Sequence, residues 1–312
     1  MAQIKQYIFF DFEMLCSNKN MSFREMEAIR LGAVKYDIES ETVSTFDHFI
    51  KPINDEPLSA FCKNLTRISE ENLKNAKSFP VVFADFLRWI GGVKKSRFFS
   101  WSKSDLSRLI IDSKTHHIPL STIYKIKKRY IDFQAIFSKR VSKNTPSVEN
   151  ALKLYELSFK GQLHNPVDDA YNTLRIYLSF LNEPLKSDFI MISRFILDGN
   201  IPPDNDQARI EKMILEELQD DIKQITEGIE KIYKITDACK LVKRIKKIVD
   251  KYHNVSINRS KMFSNQVVTA IQLLTNFYEE MLQSYQEHAS YNCKVMLLDG
   301  TIAEPISFIL EG

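Results

Sequence analysis

The sequence lacks paired cysteines, long apolar runs and low-complexity tracts. Its four cysteines, Cys16, Cys62, Cys239 and Cys293, form no CxxC pair, which argues against a zinc site and against a secreted disulfide framework. No uninterrupted apolar stretch reaches the roughly 18 residues of a membrane-spanning helix, and the first strand pattern starts within a few residues of Met1. We therefore expect no signal peptide, reduced thiols and a cytoplasmic location.

Length and composition indicate a folded chain with room for two domains. Of its 312 residues, 44% are hydrophobic and 27% charged, which excludes disordered and fibrous classes. The net charge of +3 is unevenly distributed, because residues 1–185 carry 27 basic and 21 acidic side chains, whereas the remainder carries 16 and 19. The basic first part could bind a polyanion locally in a cleft, or its excess could be ordinary scatter.

The first 185 residues predict an α/β fold, a mixed sheet flanked by helices. Alternating apolar positions predict strands over 7–13, 28–37 and 43–51, most simply as an antiparallel meander, and shorter strands over 97–101 and 130–133. Helical spacing and start signals predict helices over 80–90, from 103 onward, over 147–157 and over 168–182.

After Glu183 and Pro184 the pattern becomes helical, so we place a domain boundary at residue 185. Apolar residues recur every three or four positions over 210–232 (including Ile229 and Ile232), 241–252 and 267–285, which predicts three amphipathic helices. The stretch 294–310, with Leu298 to Thr301 between apolar runs, could form a small hairpin. Residues 186–312 are thus expected to form a mainly α-helical domain of unknown role.

Two acids interrupt an apolar strand near the start of the chain. Over residues 7–13 a strand's period of two sends Asp11 and Glu13 to one face, and Phe10 and Phe12 to the other. Carboxylate oxygens are the ligands that Mg²⁺ and Mn²⁺ prefer, and such ions can activate water for phosphodiester hydrolysis. For an isolated pair, a solvated strand end is the alternative.

Later segments supply three further candidates. Asp105 lies in the first turn of the helix that starts near Lys103, a position that acids also favour for the helix dipole alone. Asp169 lies in the first turns of the helix after Pro166, and His164 lies on the loop that enters it. This carboxylate could bind metal while the imidazole takes a proton from water. The alternatives are an N-cap aspartate and a surface histidine.

Together these motifs resemble the DEDDh 3′→5′ exonucleases of the RNase T and proofreading-subunit superfamily. Asp11-x-Glu13 matches the first motif, Asp105 four residues after Trp101 the second, and His164, four residues, Asp169 the third. The similarity covers about residues 5–182 and is greatest to the branch of RNA-interference-regulating and sporulation-inhibitor-type exonucleases. Ser102, Ser104 and Arg30 depart from the family pattern; relatives often carry glutamate where this chain has Arg30.

The resemblance implies an RNase H-like fold and a two-metal mechanism. It implies two divalent ions, Mg²⁺ or Mn²⁺, with ligands from Asp11, Glu13 and Asp169, a direct or water-mediated contribution from Asp105, and His164 as general base. It also assigns the pocket for the terminal nucleoside to Met14, Phe61 and Leu65, although core packing would equally explain Met14 and Leu65.

Two basic segments are weaker candidates for substrate contacts. The segment 124–130 combines tyrosines with lysines and an arginine, and Lys240, Arg244, Lys247 and Lys251 form one helical stripe. Both could contact phosphates, or both could be solvated faces.

We predict a 3′→5′ exonuclease that acts on single-stranded nucleic acid with a free 3′ end. A slight preference for RNA over DNA rests on analogy with the branch. The competing hypothesis is a binding or scaffold module that recognises nucleic-acid ends, with a protein partner or a second copy held through residues 186–312. The cluster of mutually repelling carboxylates favours the enzyme.

Overall fold

The structure, a computed structural model, describes residues 3–17, 21–202, 205–226 and 232–311. The chain divides into two units: Met1–Lys139 with Asn144–Asn182, and Arg140–Lys143 with Glu183–Gly312. Among the described residues, no helix has the length and apolar character needed to cross a membrane.

The first unit is built on a mixed sheet that has, within the described ranges, six strands in the order β4-β3-β2-β1-β5-β6. The strands β1 to β3 form an antiparallel meander, and β5 and β6 continue the sheet in parallel. This confirms the predicted mixed sheet and the meander. The bounds are β1 (Gln6–Met14), β2 (Ala28–Asp37), β3 (Val43–Lys51), β4 (Lys77–Ser78), β5 (Ser96–Ser100) and β6 (Tyr130–Asp132).

Helices cover both faces of this sheet, as the sequence predicts. Their starts follow the local chemistry: serine side chains accept backbone N–H bonds at the starts of several of them, and Pro166 occupies the first position of the eighth. The bounds are α1 (Ala60–Thr66), α2 (Glu70–Lys74), α3 (Phe79–Ile90), α4 (Lys103–Thr115), α5 (Leu120–Lys127), α6 (Phe133–Phe137), α7 (Val148–Leu154) and α8 (Pro166–Asn182).

The alternation of β1 separates the two faces of the sheet. Phe10 and Phe12 are buried in a core with apolar side chains of α3, α4 and α5. Phe9 lies on the opposite face, where its ring stacks on Phe99 at 4.7 Å and contacts Tyr177 of α8. Asp11 and Glu13 follow Phe9 at intervals of two, so their side chains lie on the α8 face at the end of the strand.

The second unit is mainly helical, as predicted, and each of its long helices buries one apolar face in a shared core. Its helices are α9 (Pro184–Phe195), α10 (Gln207–Thr226), α11 (Ile235–Ile257), α12 (Asn265–Ser290) and α13 (Glu304–Glu311). A two-stranded antiparallel sheet of β7 (Ile232–Lys234) and β8 (Val295–Leu297) accompanies them.

Two predictions for this unit are wrong. Ile232 does not continue the helix of residues 210–225; it pairs with Leu297 in the small sheet, while Ile229 lies outside the described residues. The hairpin expected around 298–301 is absent from the described part of the chain. Asp299 instead accepts the Thr301 N–H at 3.0 Å and starts a 3-10 turn that leads into α13, and Ile306 and Ile309 bury the helical face.

Candidate active site

The carboxylates of three residues from two separate elements meet at the end of β1. Ligand oxygens of Asp11, Glu13 and Asp169 all lie within 4.8 Å of one another and could hold a metal ion. Glu13 is 8% exposed, and the other two are half-buried. The strand alternation that sends Asp11 and Glu13 to one face is local, whereas the arrival of Asp169 depends on how α8 packs against the sheet.

Gly32 allows that packing. It lies directly opposite Asp11 in the β1–β2 register. A Cβ atom on Gly32 would lie 2.3 Å from the backbone nitrogen of Val167 and 2.4 Å from the carbonyl carbon of Pro166. The first turn of α8 therefore rests on the bare backbone of β2, which brings Asp169 down to the sheet. Gly32 was not among the residues predicted to shape the site, although a glycine inside a strand is a signal of close backbone approach.

Asp105 lies next to this group and is fixed by the backbone of β1. It is 3% exposed, and its Oδ1 accepts the Phe12 N–H at 3.2 Å. It is not among the three residues whose oxygens lie within 4.8 Å of one another. Its negative charge is nevertheless the largest charge contribution that raises the pKa of Asp11.

Burial raises the pKa of all four carboxyls, and neighbouring negative charges add to it; for Asp169 these are Asp168 and Glu149. Burial comes first in every case, and for Asp11 the charges of Asp105, Asp169 and Glu13 add to it, so that its pKa lies well above the ordinary range. The pKa is raised to about 8 for Glu13, to about 7 for Asp105 and to about 7 for Asp169. Backbone N–H bonds and the charge of Arg30 offset only part of this effect, so a cation bound among these acids would favour their ionised form.

His164 lies on the loop before α8, as predicted, and its side chain is exposed. Its backbone is left-handed at φ 60°, and its backbone N–H donates a bond to the Asp169 carboxylate, which lowers the pKa of that acid against the larger effect of burial. The backbone N–H of His164 therefore holds the Asp169 carboxylate, a candidate metal ligand, while the His164 side chain is exposed to solvent.

Asp168 shapes the loop that carries His164. Its Oδ2 accepts the Gln162 N–H at 2.9 Å. Gly161 has φ 89°, and a Cβ there would lie 2.3 Å from the Asp168 carboxyl carbon. Asp169 was predicted as a metal ligand, whereas Asp168 was read only as part of the helix start, because its contact back to the loop is not visible in the sequence.

The three residues assigned to the nucleoside pocket lie in different environments. Phe61 on α1 is 47% exposed, so core packing does not account for it. Met14 at the end of β1 is half-buried and packs against the core under α3, and Leu65 on α1 is half-buried. Their role in substrate binding stays a prediction.

The basic segments are only partly available for phosphate contacts. Tyr124 is 66% exposed, but the Tyr130 hydroxyl lies 2.7 Å from Ser100 Oγ within the sheet. In the stripe on α11, several side chains bind partners within the second unit, which favours the alternative of a solvated helix face. These contacts join Lys240 to Asp237, Arg244 to the Gln224 carbonyl, and Lys251 to Glu217 and Asp221.

The sequence is similar to those of known exonucleases. Two curated relatives are the 3'-5' exonuclease crn-4 of Caenorhabditis elegans, 24% identical over 187 residues (55% of this chain, 61% of the relative), and ERI1 exoribonuclease 2 of Danio rerio, 26% identical over 190 residues (53% and 33%). The chain therefore spans less than two thirds of the length of either relative.

A solved structure shows the same fold. The nuclease domain of 3'hExo, described as a DEDDh family member bound to rAMP, superposes with a TM-score of 0.53 at 22% identity, covering 60% of this chain and 97% of that domain. This confirms the predicted RNase H-like fold of the first unit. A family model described as exonuclease, RNase_T, matches residues 8–177. Because this match covers more than half of the chain, the chain belongs to the RNase_T exonuclease family.

Proposed function

We propose that the protein is a metal-dependent 3′→5′ exonuclease that hydrolyses nucleotides from single-stranded 3′ ends. The observation that carries this proposal is the convergence of Asp11, Glu13 and Asp169 within 4.8 Å, beside Asp105, in a chain of an exonuclease family. Residues 1–185 form the exonuclease domain in this proposal, and residues 186–312 form a helical domain open to a protein partner or a second copy.

The donor set fits two divalent ions, Mg²⁺ or Mn²⁺. Hard carboxylate oxygens suit these cations. Burial is the first cause of the raised pKa values of the four acids, so a bound cation would stabilise carboxylates that the protein solvates poorly. Asp11, Glu13 and Asp169 would hold the ions directly, and Asp105, outside the group of three, would act through water. When bound, the ions supply activation of the attacking water and charge stabilisation for the departing 3′ oxygen.

The backbone and side chains of the protein orient the site and transfer the proton. The Phe12 N–H fixes the direction of the Asp105 carboxylate. In this proposal His164 accepts the proton of the attacking water. Its exposed position on a loop lets the imidazole approach the water and then release the proton to solvent.

Replacing His164 with alanine is expected to lower kcat by about 10²- to 10⁴-fold, the usual contribution of a general base. Binding of Mn²⁺ should change little, because the His164 contact with Asp169 is made by the backbone N–H, which alanine retains. Single-turnover hydrolysis and calorimetric Mn²⁺ titration measure the two quantities. Loss of metal binding together with activity would contradict the role as a base.

RNA is the slightly preferred substrate in this proposal. The support is that a similar protein from Danio rerio is named an exoribonuclease, while the worm relative is named only an exonuclease. Phe61, Met14 and Leu65 would grip the terminal base by stacking and apolar contact, which does not distinguish bases.

One assay tests the activity and the sugar preference together. Single-stranded RNA and DNA of one sequence, each labelled at the 5′ end, are incubated with Mg²⁺ or Mn²⁺ and either wild type or Asp11→Asn. We expect a ladder that shortens from the 3′ end, somewhat faster on RNA, and absent with the variant. Binding without shortening in either metal would instead support a scaffold that recognises nucleic-acid ends, and equal rates would remove the RNA preference.

A further inference from the structure

Arg30 is a cation beside the carboxylate pocket, the group formed by Asp11, Glu13 and Asp169 with Asp105 next to it. It lies directly opposite Glu13 in the antiparallel register of β1 and β2, so both side chains leave the same face of the sheet with Cβ atoms about 5 Å apart. That face is the one on which Asp11 and Asp169 meet. The charge of Arg30 lowers the pKa of Glu13, against the larger effects of burial and of Asp169.

Asp47 holds this cation in one place. Arg30 Nε donates to Asp47 Oδ1 at 2.8 Å and Arg30 Nη2 to Oδ2 at 2.7 Å, a bidentate pair. The guanidinium also lies over the Phe49 ring, 4.9 Å from its centroid. Only 14% of the Arg30 side chain is exposed, against 42% for Asp47. The positive member of the pair is therefore close to the pocket and shielded, and the negative member is on the solvent side.

A fixed charge beside a metal pocket changes the free energy of a divalent ion there. Positive charge on the same face of the sheet repels the ion, and the repulsion is stronger where water is partly excluded. Negative charge on the partner offsets part of that repulsion. The carboxylates of the pocket therefore attract metal less than their number alone would suggest.

We propose that the Arg30–Asp47 pair sets the metal affinity of the pocket, with Arg30 weakening binding in the absence of substrate and Asp47 limiting that effect. The inference rests on the proposed function, because it assumes that the carboxylates bind divalent ions. Its consequence is that the negative charge of an incoming phosphodiester completes the site, so that metal and nucleic acid bind cooperatively. Arg30 thus touches neither substrate nor metal in this proposal; its positive charge changes the affinity of the carboxylates for a divalent ion.

The two members of the pair are expected to act in opposite directions. Arg30→Gln removes the positive charge and should tighten Mn²⁺ binding about tenfold at low ionic strength, whereas Asp47→Asn should weaken it severalfold. Both differences should shrink as salt is raised, since the Debye length falls to about 10 Å at 0.1 M. A merely structural role for the pair would weaken binding in both variants.

The test is titration of the full-length protein with Mn²⁺, followed by the electron paramagnetic resonance of the free ion, without nucleic acid. Arg88→Gln is the matched control, because Arg88 pairs with Asp85 on the exposed surface of α3 and should leave the binding constant unchanged. If wild type binds no Mn²⁺ at all, the proposed function fails and this inference with it. If wild type binds and Arg30→Gln binds equally or more weakly, only the inference is overturned, and Asp47→Asn decides the same point should Arg30→Gln not fold.

Discussion

Asp11→Asn is expected to reduce exonuclease activity by about 10³-fold or more while making the metal-free protein more stable. The activity falls because a neutral amide replaces a carboxylate that we propose binds metal, a loss at least as large as that of one preorganised electrostatic contact. The stability rises, by about 1–2 kcal/mol, because the variant removes a carboxylate whose charge is disfavoured by desolvation and by the neighbouring acids. The two effects have one electrostatic cause.

The pH dependence of stability follows from the same acids. A carboxyl whose pKa is raised in the folded state binds its proton more tightly there than in the unfolded chain, so the free energy of unfolding falls as pH rises. The relevant window runs from the ordinary carboxyl range, near pH 4, to the folded values of about 7 for Asp105 and Asp169 and about 8 for Glu13. Metal-free wild type should therefore lose thermal stability between pH 5 and pH 8, and Asp11→Asn should lose less.

Thermal unfolding in a chelating buffer across this range, with and without added Mg²⁺, measures the effect. The control is Asp55→Asn, which neutralises an exposed aspartate in the loop after β3. It should change neither the activity nor the dependence of thermal stability on pH. Destabilisation by Asp11→Asn in metal-free buffer would show that the acids are compensated by the fold itself, which contradicts the argument for a cation site.

Gly32→Ala is expected to reduce activity by about 100-fold, although the substitution adds a single methyl group outside the carboxylate cluster. The new Cβ cannot occupy space 2.3 Å from the Val167 nitrogen, so the first turn of α8 must move away from the sheet. Asp169 moves with it, and a displacement of about 1 Å in a reacting group is enough for a loss of this size. The overpacked contact should also cost about 1–3 kcal/mol of stability.

The matched control is Gly92→Ala. Gly92 has an extended backbone at φ −178°, and nothing lies within 4 Å of the position of its Cβ, so a methyl group meets no obstacle. Circular dichroism verifies that each variant is folded, and Mn²⁺ titration with single-turnover hydrolysis measures the site. A folded Gly32→Ala protein with wild-type metal affinity and rate would show that α8 does not depend on this contact to place Asp169.

Local patterns were sufficient to predict most of the first unit. The strands β1 to β3 follow from alternation along single segments, and the shared face of Asp11 and Glu13 follows from the same period. The start of α8 follows from Pro166 and the acids after it. These features depend on neighbours within a few residues, so the sequence displays them directly.

Predictions failed where distant segments compete with local pattern. Ile232 continues a helical repeat in the sequence, yet it pairs with Leu297 in the small sheet of the second unit. The stretch around Asp299 has the composition of a hairpin, yet the aspartate caps a turn that leads into α13. In the first case the small sheet buries Tyr233 and Met296 in the helical core, although Ile232 itself is 57% exposed. In the second case α13 buries Ile306 and Ile309 in the same core.

By itself the sequence determined the chemical groups of the site, because the residue types and their spacing along strand and helix are local properties. Only the tertiary structure decided which groups meet: that α8 reaches the sheet over Gly32, that Arg30 faces Glu13, and that Asp105 stands beside the other three acids. The physical reason is that these contacts depend on strand register and on helix approach to within a fraction of an ångström. Both are set by packing among segments far apart in the chain.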